Sequence, residues 1–133
     1  MANDIIKTTA NGMEIAGVDM ESFEGVLKVT NALTVAASLD KTVEDGQPFE
    51  FIGCVFKDGT NDNTGEPCKE SYFIQRDGTA LFSKSSGIYN SAQTILGMMG
   101  DWLANGLWVT IVSQGTGRGN TIKLLKPIAP PAK

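Results

Sequence analysis

The sequence predicts a mainly β domain with one helix placed late in the chain, and three observations carry that expectation. Most apolar runs alternate with a period of two, which is the period of a half-buried strand. One run, from Ile88 to Leu103, changes to three- and four-residue steps, the spacing of a helix face. The runs are punctuated by turn-forming pairs, Asp77-Gly78 and Asn105-Gly106, and by the polar stretch "DGTNDNTGEPCKE", whose Gly, Asn and Asp residues favour turns.

Taken in order, "NALTVAASL" at 31–39 sets Leu33, Val35, Ala37 and Leu39 at alternate positions and reads as the first strand. Upstream, "GMEIAGVDM" and "FEGVLKV" add a short strand or extend that first one. "DKTVEDGQP" is an exposed connection, rich in charge and ending in proline. "FEFIGCVFK", Phe49 to Lys57, is a second strand bent or bulged at Gly53. After the polar loop, "SYFIQR" and "TALFSK" flank Asp77-Gly78 and form either a hairpin or one long bent strand.

The helix follows, with Ile88, Ala92, Ile95, Leu96, Met99 and Leu103 on one face. Asn90 or Ser91 is positioned to cap it, with Gln93 in a capping-box arrangement, and Asn105-Gly106 to stop it. Gly97 and Gly100 weaken it by up to about 1 kcal/mol each relative to alanine, a cost that close packing on a sheet would explain. "LWVTIV" and "NTIKLLK" are then two strands around "SQGTGRG".

The 133 residues, 41% hydrophobic and 20% charged, suit one globular domain. It is expected over 1–126, with 1–24 as an N-terminal extension and 127–133, "PIAPPAK", as a proline-rich tail that does not pack. No run approaches the roughly 18 apolar residues of a membrane helix, and the N-terminus lacks a secretory layout. The expected place is the cytoplasm, with no membrane partner. Cys54 and Cys68 there read as reduced thiols. With no histidine and only two cysteines, the usual zinc sites and the Ser/His and Cys/His catalytic pairs are removed. No catalytic residues, metal or cofactor are expected.

Two motifs lose to blander readings. "QGTGRGN" invites a phosphate cradle, but no lysine follows Gly119, Asn120 stands where a dinucleotide fingerprint needs glycine, and a strand follows instead of a helix. It is a hairpin loop whose tip, Arg118, can reach a polyanion lying beside it. "DGTNDNTGE" resembles a calcium loop, but it sets Thr60, Asp62 and Thr64 at ligand positions and Ser71 where a bidentate glutamate belongs. Loop acids such as Glu44 and Asp45 read as solubility charges.

The formal net charge is -4, yet it is unevenly spread. Residues 1–70 hold 13 acids against five lysines, net -8, while 71–133 hold six bases against two acids, net +4. That asymmetry suggests one basic face. With Leu107, Val109 and Ile111 inward, Trp108, Thr110 and Val112 look outward. By the same reasoning Ile122 and Leu124 are inward and Lys123 outward. Tyr72, Ile74 and Arg76 oppose Phe73 and Gln75, either set being the exposed one, and Phe82 shares a face with Lys84. Rings and bases alternating along strands suit a surface that stacks unpaired bases and neutralises phosphates. The competing use of the same rings is to cover a core or a dimer interface.

The order strand, strand, strand, helix, strand, strand resembles the OB-fold, a five-stranded Greek-key barrel with one α-helix between strands 3 and 4. The resemblance spans about residues 25–126. It implies that Gln114–Gly119 and Asp40–Pro48 are the loops flanking a binding face on strands 2 and 3. At that level the chain is similar to small OB-fold single-stranded DNA-binding proteins of phages and mobile elements. That implies non-catalytic, sequence-tolerant binding of single-stranded DNA, with RNA left open, in replication or recombination. It also implies a homodimer or higher homo-oligomer in the cytoplasm, the host's if phage-encoded. Carried over by position, the stacking candidates are Phe51, Tyr72, Phe73, Phe82 and Trp108, and the phosphate candidates are Lys57, Arg76, Lys84, Arg118 and Lys123. The chain departs from the bacterial members in ending without an acidic tip. The alternative is a structural or assembly β-barrel module, in a virion or an oligomer, whose aromatics make subunit contacts.

Overall fold

Strands dominate the computed structural model, which describes residues 6–8, 12–61, 63–115 and 121–130. In chain order they are β1 (Ile6–Thr8), β2 (Glu14–Ala16), β3 (Ala37–Ser38), β4 (Phe49–Phe51), β5 (Gly53–Thr60), β6 (Pro67–Ile74), β7 (Ala80–Ser83), β8 (Leu107–Gly115) and β9 (Thr121–Ile128). The helices are α1 (Phe23–Val35), α2 (Leu39–Thr42) and α3 (Ser86–Met99), the last running on as a 3-10 turn to Asn105. The strands form a six-stranded sheet, β1-β2-β5-β6-β7-β3, and a three-stranded sheet, β4-β8-β9. The mainly β expectation holds, and no closed barrel forms among the described residues.

The chain crosses from one sheet to the other at a single residue, Ile52. Phe49–Phe51 pairs with β8, and two residues later Gly53 begins pairing with β6. Between them Ile52 N donates to Ile74 O at 2.8 Å. A Cβ on Gly53 would lie 2.9 Å from Val18 Cγ2 and 3.2 Å from Ala16 O, so the expected bend falls where a side chain has no room.

Apolar side chains fill two layers. Between the sheets and α3, Phe49, Phe51 and Phe56 all meet Phe73, with ring centroids 6.2, 5.1 and 6.5 Å apart. Across the larger sheet, α1 lays Val29 and Ala32 against Ile15, Val55, Ile74 and Ala80. Among the described residues no helix is long and apolar enough to cross a membrane.

Several sequence expectations are corrected. The strand over 31–39 is instead the end of α1, and only Ala37–Ser38 is extended. Gly25, Val29 and Ala32 are the buried helical positions, Ser22 Oγ accepts from Gly25 N at 3.0 Å, and Val35 of the alternating set is 76% exposed. "FEGVLKV" is therefore helix, while "EIA" within the upstream stretch is a strand. Residues 58–60 and 67–70, taken as loop, extend the β5–β6 hairpin, so that the connection shrinks to 61–66. The Asp77-Gly78 turn does join a hairpin, with Gly78 at φ 92 and Gln75 N bonded to Thr79 O at 2.8 Å, but its connection spans 75–79.

Helix α3 begins earlier than expected, capped by Ser85 Oγ, which accepts from Ile88 N at 3.3 Å. Ser91 does other work: it donates to Gly87 O at 2.7 Å and accepts from Leu125 N at 2.9 Å, tying α3 to the edge strand β9. The stop at Asn105-Gly106 holds, with Gly106 at φ 94. The tail packs further than expected, since Pro127 and Ile128 lie opposite Val109 and Trp108. An edge strand tolerates the proline because one side of it has no ladder to feed.

Gly87 and Gly97 separate two roles of glycine in a helix. A Cβ on Gly87 would sit 2.4 Å from Lys123 O, whereas Gly97 faces open space. We expect Gly87→Ala to destabilise by about 1–3 kcal/mol through overpacking. Gly97→Ala should stabilise by about 0.5–1 kcal/mol through helix propensity. Urea unfolding of the two variants checks this, and shifts of the same sign would refute the assignment of α3 against β9.

Candidate nucleic-acid interface

Alternation along the β5-β6-β7 meander decides which side chains share the outer face. Val55, Tyr72 and Phe82 lie in one row of the ladder, and Lys57 opposite Glu70 in the next row on that face. The stacked rings of Tyr72 and Phe82 are 5.8 Å apart at 24°. Tyr72 is 7% exposed and Phe82 is half-buried, so Phe82 offers more ring to solvent. Tyr72 Oη donates to Glu70 Oε1 at 2.9 Å. Lys57 Nζ stands 3.3 Å from the same oxygen, and Lys84 Nζ 3.8 Å from Oε2. Lys84 also donates to Thr60 O at 3.2 Å. Burial, and then the hydrogen bond to Glu70, push the Tyr72 phenol up to about 12.

Lys84 connects this face to a groove of about 750 Å³ between the ends of β5 and β6, the start of α3, and β9. Lys69, Lys84 and Lys123 line it together with Tyr89 and Ile122, against the acids Asp40 and Asp58. Lys69 Nζ is 2.6 Å from Asp58 Oδ1 and 5.9 Å from the Tyr89 ring centre, a cation–π distance. Its ammonium is raised above the usual lysine value, first by the hydrogen bond to Asp58. Lys123 Nζ pairs with Asp45 Oδ1 at 2.9 Å, and Ser113 Oγ donates to Asp45 Oδ2. Those two hydrogen bonds, Ser113's first, hold the Asp45 carboxyl below its usual value. Asp45 is thus an anchor for β8 and β9 rather than a loose solubility charge.

Of the ten residues expected at the site, Lys57, Phe82 and Lys84 gather on the α1 side of the larger sheet around Tyr72, which at 7% exposure is itself corrected to a core residue, and Lys123 shares the groove with Lys84. Arg76 and Trp108 lie elsewhere, around a recess of about 380 Å³. There the Arg76 guanidinium is held by both oxygens of Glu50, at 3.2 and 2.8 Å, and by Asn105 O at 3.1 Å. Phe51 and Phe73, both 0% exposed, are corrected to core residues, because their positions point between the sheets. No base can stack on them in the folded protein. Arg118 lies outside the described residues, as do residues 116–119 of the Gln114–Gly119 loop. The stretch Asp40–Pro48 includes the end of α2 and does not join the first two meander strands, a task that falls to 61–66.

The faces of β8 and β9 divide the expectations. Leu107, Val109 and Ile111 are buried as read, but Leu125, not Ile122 or Leu124, is the inward residue opposite Ile111. Lys123 sits opposite Ser113 and shares the inward parity with Leu125, at the rim. Ile122 is consequently 41% exposed. Glu70, Lys69 and Gly59 went unread as site residues because they lay in the stretch taken for a loop. Two-residue spacing from Tyr72 to Glu70 was the available signal. Tyr89, one position from Ile88 on the helix, carried none.

The raised Tyr72 value gives a pH dependence with a definite sign. The fold favours the neutral phenol, so its contribution is intact below the ordinary value near 10 and is lost as pH climbs towards about 12. We expect a phenolate absorbance titration in which Glu70→Gln brings one tyrosine back towards 10, and an unmoved curve would contradict the Tyr72–Glu70 contact. No family model, no curated protein and no solved structure matches this chain.

Proposed function

We propose that the protein binds single-stranded DNA without catalysis and with little sequence preference, acting in replication or recombination. One observation carries the reading: Lys57 and Lys84 meet at Glu70 beside the Tyr72–Phe82 pair, and Lys84 also lines the groove that holds Lys69, Lys123 and Tyr89. Rings stack bases whatever their identity, and lysines meet phosphates at any sequence. The local chemistry outweighs the net charge of -4, since a polyanion responds to the surface it touches.

We further read the two sheets as a half-open OB-type barrel. In that reading β4 and β5 are one bent first strand belonging to both sheets, β6 and β7 are the second and third, and β8 and β9 follow α3. The connection 61–66 then flanks the binding face. Support comes from the bend at Gly53 and from Ser91, which bonds Leu125 N where a ladder partner would otherwise stand.

Titration with oligothymidine at several salt concentrations, followed by intrinsic tryptophan fluorescence or anisotropy of a labelled strand, tests the function. Affinity should fall with salt, and Lys84→Ala should flatten the log–log slope by about 0.7, the share of one phosphate on a single strand. Phe82→Ala should weaken binding by roughly five- to 150-fold, corresponding to about 1–3 kcal/mol per stacked base. Equal affinity for duplex, or indifference to salt, would count decisively against the reading. The same titration with oligouridine separates DNA from RNA preference.

A second reading rests on α1. Its outward side exposes Phe23 at 79%, Leu27 at 45% and Val26 at 40%. Thr30 and Thr34 on that side turn their hydroxyls back to Val26 O and Thr30 O, at 2.8 and 2.9 Å. Such a face suits an assembly module. Sedimentation distinguishes the two: a subunit of an assembly is a concentration-dependent oligomer that Phe23→Ser dissociates, with no affinity for oligothymidine.

A further inference from the structure

Glu70 sits where an anionic ligand would sit. Its carboxylate is shared by three donors on the outer face, the Tyr72 hydroxyl at 2.9 Å and the Lys57 and Lys84 ammoniums at 3.3 and 3.8 Å. The Glu70 side chain is 12% exposed, whereas those of Lys57 and Lys84 are 37% and 34% exposed. The acid is therefore covered by its donors while the donors remain open to solvent. Beneath it lies Gly59, where a Cβ would come within 2.3 Å of Glu70 Oε2 and 2.7 Å of Cγ. Gly59 has no left-handed φ that would require glycine. What its missing side chain provides is the floor on which the carboxylate rests.

We propose that Lys57, Lys84 and the Tyr72 hydroxyl form a phosphodiester-binding site that Glu70 occupies in the free protein and yields to the strand. The inference rests on the single-strand reading above and adds its regulation. Two ammoniums and a hydroxyl suit either a carboxylate or a phosphate oxygen. While Glu70 holds them, an isolated phosphate must compete with a tethered carboxylate already in place. A strand whose bases stack on Phe82 and whose other phosphates reach Lys69 and Lys123 delivers its phosphate at high local concentration. Glu70 thus sets a threshold that admits the polymer and rejects small anions.

Two variants release the site by different routes. Glu70→Gln keeps the shape and the hydrogen bond from Tyr72 but removes the charge. Gly59→Ala keeps the charge but pushes the flexible end of Glu70 off its floor. Both should bind oligothymidine roughly three- to tenfold more tightly at low salt, while Lys84→Ala made in either background still flattens the log–log salt slope by about 0.7, because the same phosphates are met once Glu70 has yielded. Wild type that binds while both variants match it in affinity, or while Glu70→Gln binds more weakly, overturns the inference and leaves the single-strand reading standing. Absence of binding by all three proteins at every salt concentration brings both down together.

Discussion

The fold depends on β6 being buried on both faces with different partners. Phe73 meets three other phenylalanines between the sheets, and its neighbour Tyr72 stacks on Phe82 under the edge of α1. Because side chains alternate strictly along a strand, a slip of one residue would bring the Tyr72 hydroxyl into the phenylalanine cluster and force Phe73 into the layer under α1. Such a slip is costly on both sides at once. The eight-residue register with β5 and the four-residue register with β7 are held by that constraint. They in turn fix Lys57 opposite Glu70, and the outer-face chemistry follows from the core.

The smaller sheet is positioned by two different devices. At one end the chain passes from sheet to sheet through Ile52, with Gly53 allowing the close approach of Ala16 and Val18. At the other, α3 stands against the edge strand β9, with Gly87 beneath Lys123 O and Ser91 taking the Leu125 N–H. A helix that satisfies an edge donor removes one site for unwanted strand pairing. It also brings the start of α3, Lys84 and Lys123 around one groove, so the device that protects the edge also builds the candidate interface.

Much of this was legible in the sequence where period and burial agreed. The helical run from Ile88 and the inward set Leu107, Val109, Ile111 were read correctly, although the α-helix ends at Met99, Leu103 belongs to the 3-10 turn, and Thr110, read as outward, is buried as well. "NALTVAASL" misled because α1 ends within it, and the last turn of a helix followed by two extended residues mimics alternation. The polar half of the β5–β6 hairpin was invisible for a related reason. Lys57, Gly59, Lys69 and Glu70 alternate no hydrophobicity, and their strand conformation is imposed by the ladder rather than by their own side chains. That hairpin end carries much of the proposed site, so the least legible segment is the one on which the proposed function leans most. Phe51, Tyr72 and Phe73 could not be sorted by type, and all three are buried, since a ring is as suited to a core as to a base.

Each lysine of the proposed surface has an acid within reach: Glu70 serves Lys57 and Lys84, Asp58 serves Lys69, and Asp45 serves Lys123. A protein of net charge -4 can therefore hold a basic surface that is neutralised at rest by its own carboxylates. Binding a polyanion from that state exchanges intramolecular pairs for intermolecular ones, and the exchange is inexpensive where the resting pair is exposed. Lys69 and Asp58, with side chains 47% and 80% exposed, form a pair worth about 0–1 kcal/mol at most. Glu70 differs because it is shielded and has three donors, so in the proposed binding mode its displacement is the step that discriminates. The acids Glu70 and Asp45 of the first half pair with Lys84 and Lys123 of the second, whereas the Lys57–Glu70 and Lys69–Asp58 pairs lie within the first half. In the proposed binding mode the surface answers to phosphates presented in series, with rings between them, and not to negative charge alone.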